Sequence, residues 1–443
     1  MLLRFKRWHQ YGKSAGRIGW LPAGTILGMA MAIVLALSSL SASAASAPVK
    51  LTFWHTWGGT QGEVIQWATD RFNNAHKGSI EVKAVTADFW TFWEKFAVAM
   101  ASGIGPDIVM MGDLGSSNAR AAQGWIIPLD KYLQELSWEA RSLWPVAKQA
   151  SQYRGSTYGV PFNPDTRLLY YNKDHFAEAG LDDRVAPKTW NDLEKAAAKL
   201  TVKQRDGKYA RLGFNPMWGN VWFHPWAFTN GGYWFDDEDN PTINSKANVE
   251  ALEWVQKWYQ TYGLQLIDDL GQRSGGENYF ASGIVSMTVE TNAFGHAFLD
   301  QLQKKVNYGV GLIPYNKGPA SWSAGFAVEI AKKSPAHYDE AWQFVEYLLS
   351  EEVMTEWVKK TGELGARMDV AAKVFANDPV GRMAVAQMAT SRYAPSILDS
   401  PNWWGIVWPK IDEACRLAKP ASQALTEAQE QVEAELRAAR TRK

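Results

Sequence analysis

Only one cysteine, Cys415, occurs in the 443 residues. No intramolecular disulfide can form, and a metal site built on cysteines is excluded. In an oxidising compartment a chain of this length can rely on its apolar core instead. Histidine is scarce too, with seven in all, and none stands in the H-E-x-x-H spacing of zinc hydrolases. There is no G-x-S-x-G nucleophile elbow and no G-x-x-x-x-G-K phosphate loop. Gly309-Val310-Gly311 opens a dinucleotide fingerprint but lacks its third glycine. The chain has no block of like charge, no internal repeat and no low-complexity linker, so no basic stripe offers itself to nucleic acid. These absences predict a protein without cofactor, metal site, nucleic-acid partner or catalytic activity. One enzymatic alternative stays open. The 46 acidic residues include many pairs that folding could bring within about 5 to 10 Å, the spacing of glycoside hydrolysis.

What is present begins with a leader. Residues 1–17 carry Arg4, Lys6, Arg7, Lys13 and Arg17 and no acid, and an apolar stretch strongest over residues 26–40 follows. That order predicts a signal peptide over residues 1–45 and export to the periplasm. The run Ser41-Ala42-Ser43-Ala44-Ala45-Ser46-Ala47, with Pro48 after it, places cleavage after Ala44 or Ala45. Residues 18–40 could nearly span a bilayer, so an uncleaved anchor is the alternative. No cysteine near the cleavage region could be acylated. Bases and acids balance at 46 each and the leader removes five bases, leaving the rest acidic by about five charges.

Beyond the leader, Leu51-Thr52-Phe53-Trp54 reads as a strand, Gly58-Gly59 precedes a helical pattern through Phe72, and residues 80–85 alternate like a strand. Residues 92–102 read as a helix and Asp107-Ile108-Val109-Met110-Met111 as a buried strand. This β-α-β-α-β rhythm predicts an α/β fold with largely parallel sheet covered by helices. Thr189 with Asp192 forms a capping box for a helix over residues 193–200. Asn244 or Ser245 caps a helix that Gly263 stops, Ser334-Pro335 opens another over residues 336–349, Ser350 starts the next, and residues from Ala421 onward form a closing helix.

Tryptophan is the strongest positive signal. The chain holds 23, about four times ordinary usage. They cluster as Trp54 and Trp57; Trp90 and Trp93; Trp218, Trp222 and Trp226; and Trp403, Trp404 and Trp408. A pyranose has two faces of C–H groups and a rim of hydroxyls, which suits flat aromatic platforms edged by carboxylates and amides. Packing in the core is the alternative for any one ring.

Leu51 to Gly59 (LTFWHTWGG), Ala101 to Met111 (ASGIGPDIVMM) and Tyr158 to Lys173 (YGVPFNPDTRLLYYNK) resemble the family 1 extracellular solute-binding proteins of carbohydrate ABC transporters. The likeness continues in order through Pro187-Lys188-Thr189-Trp190, Asn230-Gly231-Gly232, Phe280-Ala281-Ser282-Gly283, Asn307-Tyr308-Gly309-Val310, Ser323-Ala324-Gly325-Phe326, and Thr361-Gly362 with Ala366-Arg367. The resemblance implies the type II periplasmic-binding-protein fold: α/β, two lobes, each a mostly parallel sheet flanked by helices, with three hinge crossings. These are expected near Asn163, at residues 308–312 and near Leu349. One lobe then spans residues 48–162 and 312–348, the other 166–308 and 351–443. Implied too are a monomer that closes on a sugar and delivers it to ABC permease subunits in the inner membrane, and through them a cytoplasmic ATPase. Glycerol 3-phosphate is the alternative ligand.

By family position, Asp113 and Asp165 are the carboxylates expected to accept sugar hydroxyls, with Asn163 and Arg167 beside Asp165. Trp218 and Asn220 supply a ring and polar edge, Glu290 and Asn292 further contacts, and Trp403 or Trp404 a stacking ring. His55, Trp57, Trp322, Ser323 and Gly325 are second-tier candidates, and Arg367 is a cleft cation or a salt-bridge partner. A carboxylate at Asp165 would repel a phosphate and favours a neutral sugar, unless Arg167 or Arg367 compensates it.

Overall fold

A computed structural model describes residues 47–112, 116–136, 142–300 and 306–442; the leader and Asp113 lie outside them. Among the described residues the strands form two five-stranded sheets. The first half of the chain builds the first sheet: β1 (Val49–His55), β2 (Ile80–Thr86) and β3 (Ile108–Gly112) pair in parallel about β1, a hairpin follows at β4 (Gln152–Tyr153) and β5 (Ser156–Thr157), and β6 (Val160–Pro164) joins at the far edge. β1 turns Leu51, Phe53 and His55 inward and β3 is buried throughout, the pattern of a sheet covered on both faces.

The second sheet holds β7 (Arg167–Asn172), β8 (Val202–Lys203), β9 (Tyr209–Gly219), β10 (Val285–Thr291) and β11 (Tyr308–Gly311), in the order β11-β7-β10-β9-β8. β12 (Ser321–Ser323) pairs outside it with β14 (Ser391–Tyr393), and β13 (Gly325–Ile330) returns to the first sheet between β3 and β6. β13 there, and β7 and β11 in the second sheet, run antiparallel to their neighbours, so both sheets are mixed.

Helices cover both sheets: α1 (Gly59–Ala75), α2 (Phe92–Ala101), α3 (Trp190–Leu200), α4 (Lys246–Tyr262), α5 (Tyr338–Leu348), α6 (Glu351–Thr361), α7 (Met368–Val374), α8 (Pro379–Met388), α9 (Trp403–Cys415) and α10 (Ala421–Arg442). Local chemistry sets several ends. The Thr189 and Asp192 side chains cap each other's backbone at α3, and Ser245 and Ser350 accept from the third residue of α4 and α6. Gly362 ends α6 with a φ of 68°, a conformation glycine adopts without strain. Ser334-Pro335 first makes a 3-10 turn over Pro335–His337, and α5 starts two residues later than expected.

The first crossing falls at Asp165 and Thr166, close to its expected place. The other two fall later than residues 308–312 and Leu349. β11 is bonded to β7 in the second sheet, and beyond it Tyr315 and Asn316 bond to the Trp190 and Thr229 backbone of that lobe. The chain regains the first sheet only at Gly325. After α5 it stays with the first lobe: Glu352 pairs with Arg71 of α1 at 2.6 Å, and the Trp357 ring lies 4.8 Å from Phe162. Only at α8, packed on β7 and β11, is it back on the second lobe. The expected places came from the family likeness, which does not fix the sheet that each element of this chain joins.

Candidate functional site

The two sheets present their carboxyl edges to each other. β1 and β3 end at His55 and Gly112, and β6, antiparallel to β13 and so aligned with β3, ends at Pro164 on the same edge. In the second sheet β9 and β10 run in parallel to ends at Gly219 and Thr291, where Arg167 opens β7 opposite Thr291. Asp165 and Thr166 join these edges, and ligands of open α/β sheets bind at such carboxyl ends.

Asp165 ties two crossings together. Its Oδ1 accepts from the Ala324 amide at 2.7 Å and from Arg167 Nη1 at 2.5 Å, while its amide donates to the Ala324 carbonyl and its carbonyl accepts from Ser323 Oγ at 2.6 Å. Gly325 sits at a φ of 129°, and a Cβ there would lie 2.4 Å from the Asn163 carbonyl. Asn292 works alike, its Oδ1 accepting from the Thr166 amide at 3.0 Å and its own amide donating back to the Thr166 carbonyl at 2.9 Å. Ser323, Gly325 and Asn292 therefore fasten the hinge strands.

Arg167 carries this frame into the second lobe. Nε donates to the Asn220 carbonyl at 3.1 Å, Nη2 donates to Asn220 Oδ1 at 2.9 Å, and the guanidinium lies 3.7 Å from the Trp322 ring centre. Trp322 begins a chain of rings: His224 at 4.8 Å, then Trp404 at 4.0 Å from His224, Trp408 at 6.1 Å from Trp404, and Trp222 at 5.0 Å from Trp408. Trp404 and Trp408 share a face of α9 through their four-residue spacing. Trp222 and Phe223 both hold positive φ, 51° and 65°, a costly backbone for bulky residues. It leaves the Trp222 ring 45% exposed at the outer end of the row. Trp218 lies half-buried on Tyr279, 4.2 Å away.

The two neighbouring tryptophans divide their roles. Trp403 is buried, donates Nε1 to the Pro395 carbonyl at 2.8 Å and packs on Trp234 and Phe235. Trp404 is the half-exposed one of the two. In the first lobe Trp57 packs 4.3 Å from Phe326 and donates its indole N–H to Met110. His55 is buried with Nδ1 accepting from the Trp57 amide, and burial lowers its pKa to about 4.

Two carboxylates at this edge, Glu290 and Glu363, have no cation bonded to them among the described residues, although the charge of Arg167 reaches Glu290. Glu290, at the end of β10, is buried and accepts from Asn278 Nδ2 at 3.2 Å. Glu363, just beyond α6, accepts from Asn163 Nδ2 at 2.7 Å and Gln61 Nε2 at 3.2 Å. Burial raises each to about 7, and the charge of Asp165 adds to the rise at Glu363. Glu363, Gln61 and His224 escaped the sequence reading. Glu363 lies inside the Thr361-Gly362 and Ala366-Arg367 motif, but nothing in the spacing links it to Gln61, 302 positions away. Arg367, in contrast, pairs with Asp369 at 2.6 Å and lines a cavity with His76, Gln343 and Glu351, apart from the Asp165 network.

The raised carboxylates set a pH dependence. Native Glu290 keeps its proton to about pH 7 where an ordinary glutamate loses it near 4.5, so its stabilising contribution is full below 4.5 and is lost as pH rises through 7. The buried imidazoles of His55 and His224, held below their ordinary range by burial, act in the opposite sense at acid pH. Comparison with a variant isolates the glutamate: Glu290→Gln is expected to gain on the wild type by on the order of 2 kcal/mol between pH 5 and pH 8, read by urea unfolding at both. A constant gap would contradict the assignment.

Among the described residues no three His, Cys, Asp or Glu side chains are placed to hold a metal ion, and no helix is long and apolar enough to cross a membrane. Residues 67–385 match the family described as bacterial extracellular solute-binding protein. This chain belongs to that family. The extracellular solute-binding protein is 25% identical over 353 residues to the sn-glycerol-3-phosphate-binding periplasmic protein UgpB of Yersinia pestis bv. Antiqua (strain Antiqua), covering 75% of this chain and 78% of that one. It is 27% identical to the UgpB of Escherichia coli O1:K1 / APEC, again over 75% and 78%. Among solved structures, CpMnBP1 with mannotriose bound superposes with a TM-score of 0.76 at 28% identity, over 87% of this chain and all of that one. An ABC transporter solute-binding protein of Thermotoga lettingae TMO bound with alpha-D-tagatose gives 0.71 at 26% identity, over 88% and 100%. The fold is the two-lobed type II arrangement of these solute-binding proteins.

Proposed function

We propose that this solute-binding protein captures a neutral sugar, from a mono- to a short oligosaccharide, in the periplasm and hands it as a monomer to the permease subunits of an ABC importer, whose ATPase lies on the cytoplasmic side. It performs no chemistry on the ligand. The charge pattern of the hinge edge supports a neutral ligand. Arg167 already serves Asp165, Asn220 and Trp322, whereas Glu290 and Glu363 have no cation bonded to them. Because Asp165 is compensated by Arg167, that aspartate alone no longer speaks against a phosphate. The two glutamates now carry the argument, since a phosphate brought beside them would find carboxyl groups with no bonded cation to offset its charge. The row from Trp322 to Trp222 offers the apolar platforms a sugar face needs. The resemblance to UgpB favours glycerol 3-phosphate as the second reading.

Closure of the lobes about their crossings buries the ligand, and the closed state is populated because the ligand binds it better. A thermal-shift screen of the protein over mannobiose, mannotriose, D-tagatose, maltotriose and glycerol 3-phosphate, with product analysis of each hit, tests this. A neutral sugar at one hundred times its dissociation constant is expected to stabilise by about 2.7 kcal/mol and to be recovered unchanged. Hydrolysis of the sugar would make the protein an enzyme, and a response to glycerol 3-phosphate alone would promote the second reading.

A further inference from the structure

Glu363 stands at the carboxyl edge of the first sheet, between Gln61 at the start of α1 and Asn163 at the end of β6. Each of its carboxylate oxygens accepts one amide hydrogen, Oε1 from Gln61 and Oε2 from Asn163, which leaves lone pairs on both oxygens. Asn163 is 4% exposed, and while its Nδ2 is committed to Glu363, its Oδ1 is buried with no hydrogen-bond partner. A buried carbonyl oxygen left unmatched is costly, and in native proteins it calls for a donor. At the neighbouring crossing the Ala324 amide and Arg167 Nη1 both donate to Asp165. One short cluster therefore holds a carboxylate with free lone pairs and a buried orphan acceptor, and no cation is bonded to either.

Two acceptors side by side suit a pair of adjacent hydroxyl groups. A phosphate or carboxylate group brings only acceptors to the Asn163 oxygen, whereas a vicinal diol, such as that of a sugar ring, donates two hydrogens. Resting on the carbohydrate reading above, we propose that Glu363 and the Asn163 carbonyl oxygen are the first-lobe acceptors for two neighbouring hydroxyls of the sugar, and that Glu363 is a specificity-determining residue that admits hydroxyl donors. Gln61 is a positioning residue that aims the carboxylate. Burial favours the protonated form of Glu363, and hydroxyls donated to it would stabilise its charged form.

The test is titration calorimetry of wild type and Glu363→Gln with mannobiose, mannotriose, D-tagatose, maltotriose and glycerol 3-phosphate. Glutamine keeps the shape, removes the charge and turns one acceptor into a donor. The variant is expected to bind the wild type's sugar ten- to a hundredfold more weakly, the range of a hydrogen bond to a charged group, with the melting midpoint of the empty protein little changed. Should Glu363→Gln not fold, Glu363→Asp keeps the charge, shortens the reach and is expected to weaken the same sugar. Affinity within twofold of wild type in the folded variant overturns this proposal and leaves the carbohydrate reading standing. A wild type that binds none of the neutral sugars overturns the carbohydrate reading itself.

Discussion

Substituting methionine for Arg167 is expected to destabilise the protein by roughly 3 kcal/mol and to abolish sugar binding within the range of calorimetry. The guanidinium is buried and serves three elements at once: it pairs with Asp165 at the crossing, holds the Asn220 side chain and carbonyl at the end of β9, and lies against Trp322. Methionine fills similar volume but leaves Asp165 without its cation, and breaking a buried pair from one side costs several kcal/mol. Asn220 and Trp322 lose their common anchor in the same step, so the ring row is displaced from the hinge. Urea unfolding reads the first effect and titration with the sugar found for the wild type reads the second. A variant as stable as wild type with intact affinity would show that the pair is ornamental.

The second large effect separates adjacent tryptophans. Trp403→Ala is expected to cost about 3 to 5 kcal/mol of stability, because it empties a buried site packed by Trp234 and Phe235 and strips the Pro395 carbonyl of its donor. Trp404→Ala is expected to cost less stability and to weaken sugar binding by roughly tenfold or more, since it removes a half-exposed platform between His224 and Trp408. Paired urea melts and titrations of the two variants check this. If Trp404→Ala binds normally while Trp403→Ala binds poorly and stays stable, the roles are reversed.

The division between these two residues shows where the sequence stopped being readable. Their clustering and family position pointed to a stacking ring, but one residue along a helix rotates a side chain by about 100°. Which of them faces the core depended on how α9 sits against Trp234 and Phe235, far away in the chain. The strands and helices at the start were legible because period-two and helical apolar patterns are local. The capping box at Thr189 was legible for the same reason. Hinge crossings were less so: β11 has the composition of a strand for either sheet, and only its pairing with β7 assigns it. Glu290 and Asp165 could be picked out by family position, and Arg167 beside Asp165 with them, but not the choice of Arg167 over Arg367 as its cation, nor Asn278 as the partner of Glu290. That Arg167 bonds to Asp165 and leaves Glu290 and Glu363 without a bonded cation is a matter of side-chain geometry, and it moved the argument for a neutral ligand from the first carboxylate to the other two.

The central claim is that this site closes on an uncharged sugar. Titration calorimetry of the wild-type protein with the neutral sugars of the panel and with glycerol 3-phosphate tests it most directly. Saturable heat at one site per chain from at least one neutral sugar, and none from glycerol 3-phosphate, is the predicted result. Saturable heat from glycerol 3-phosphate alone would contradict it.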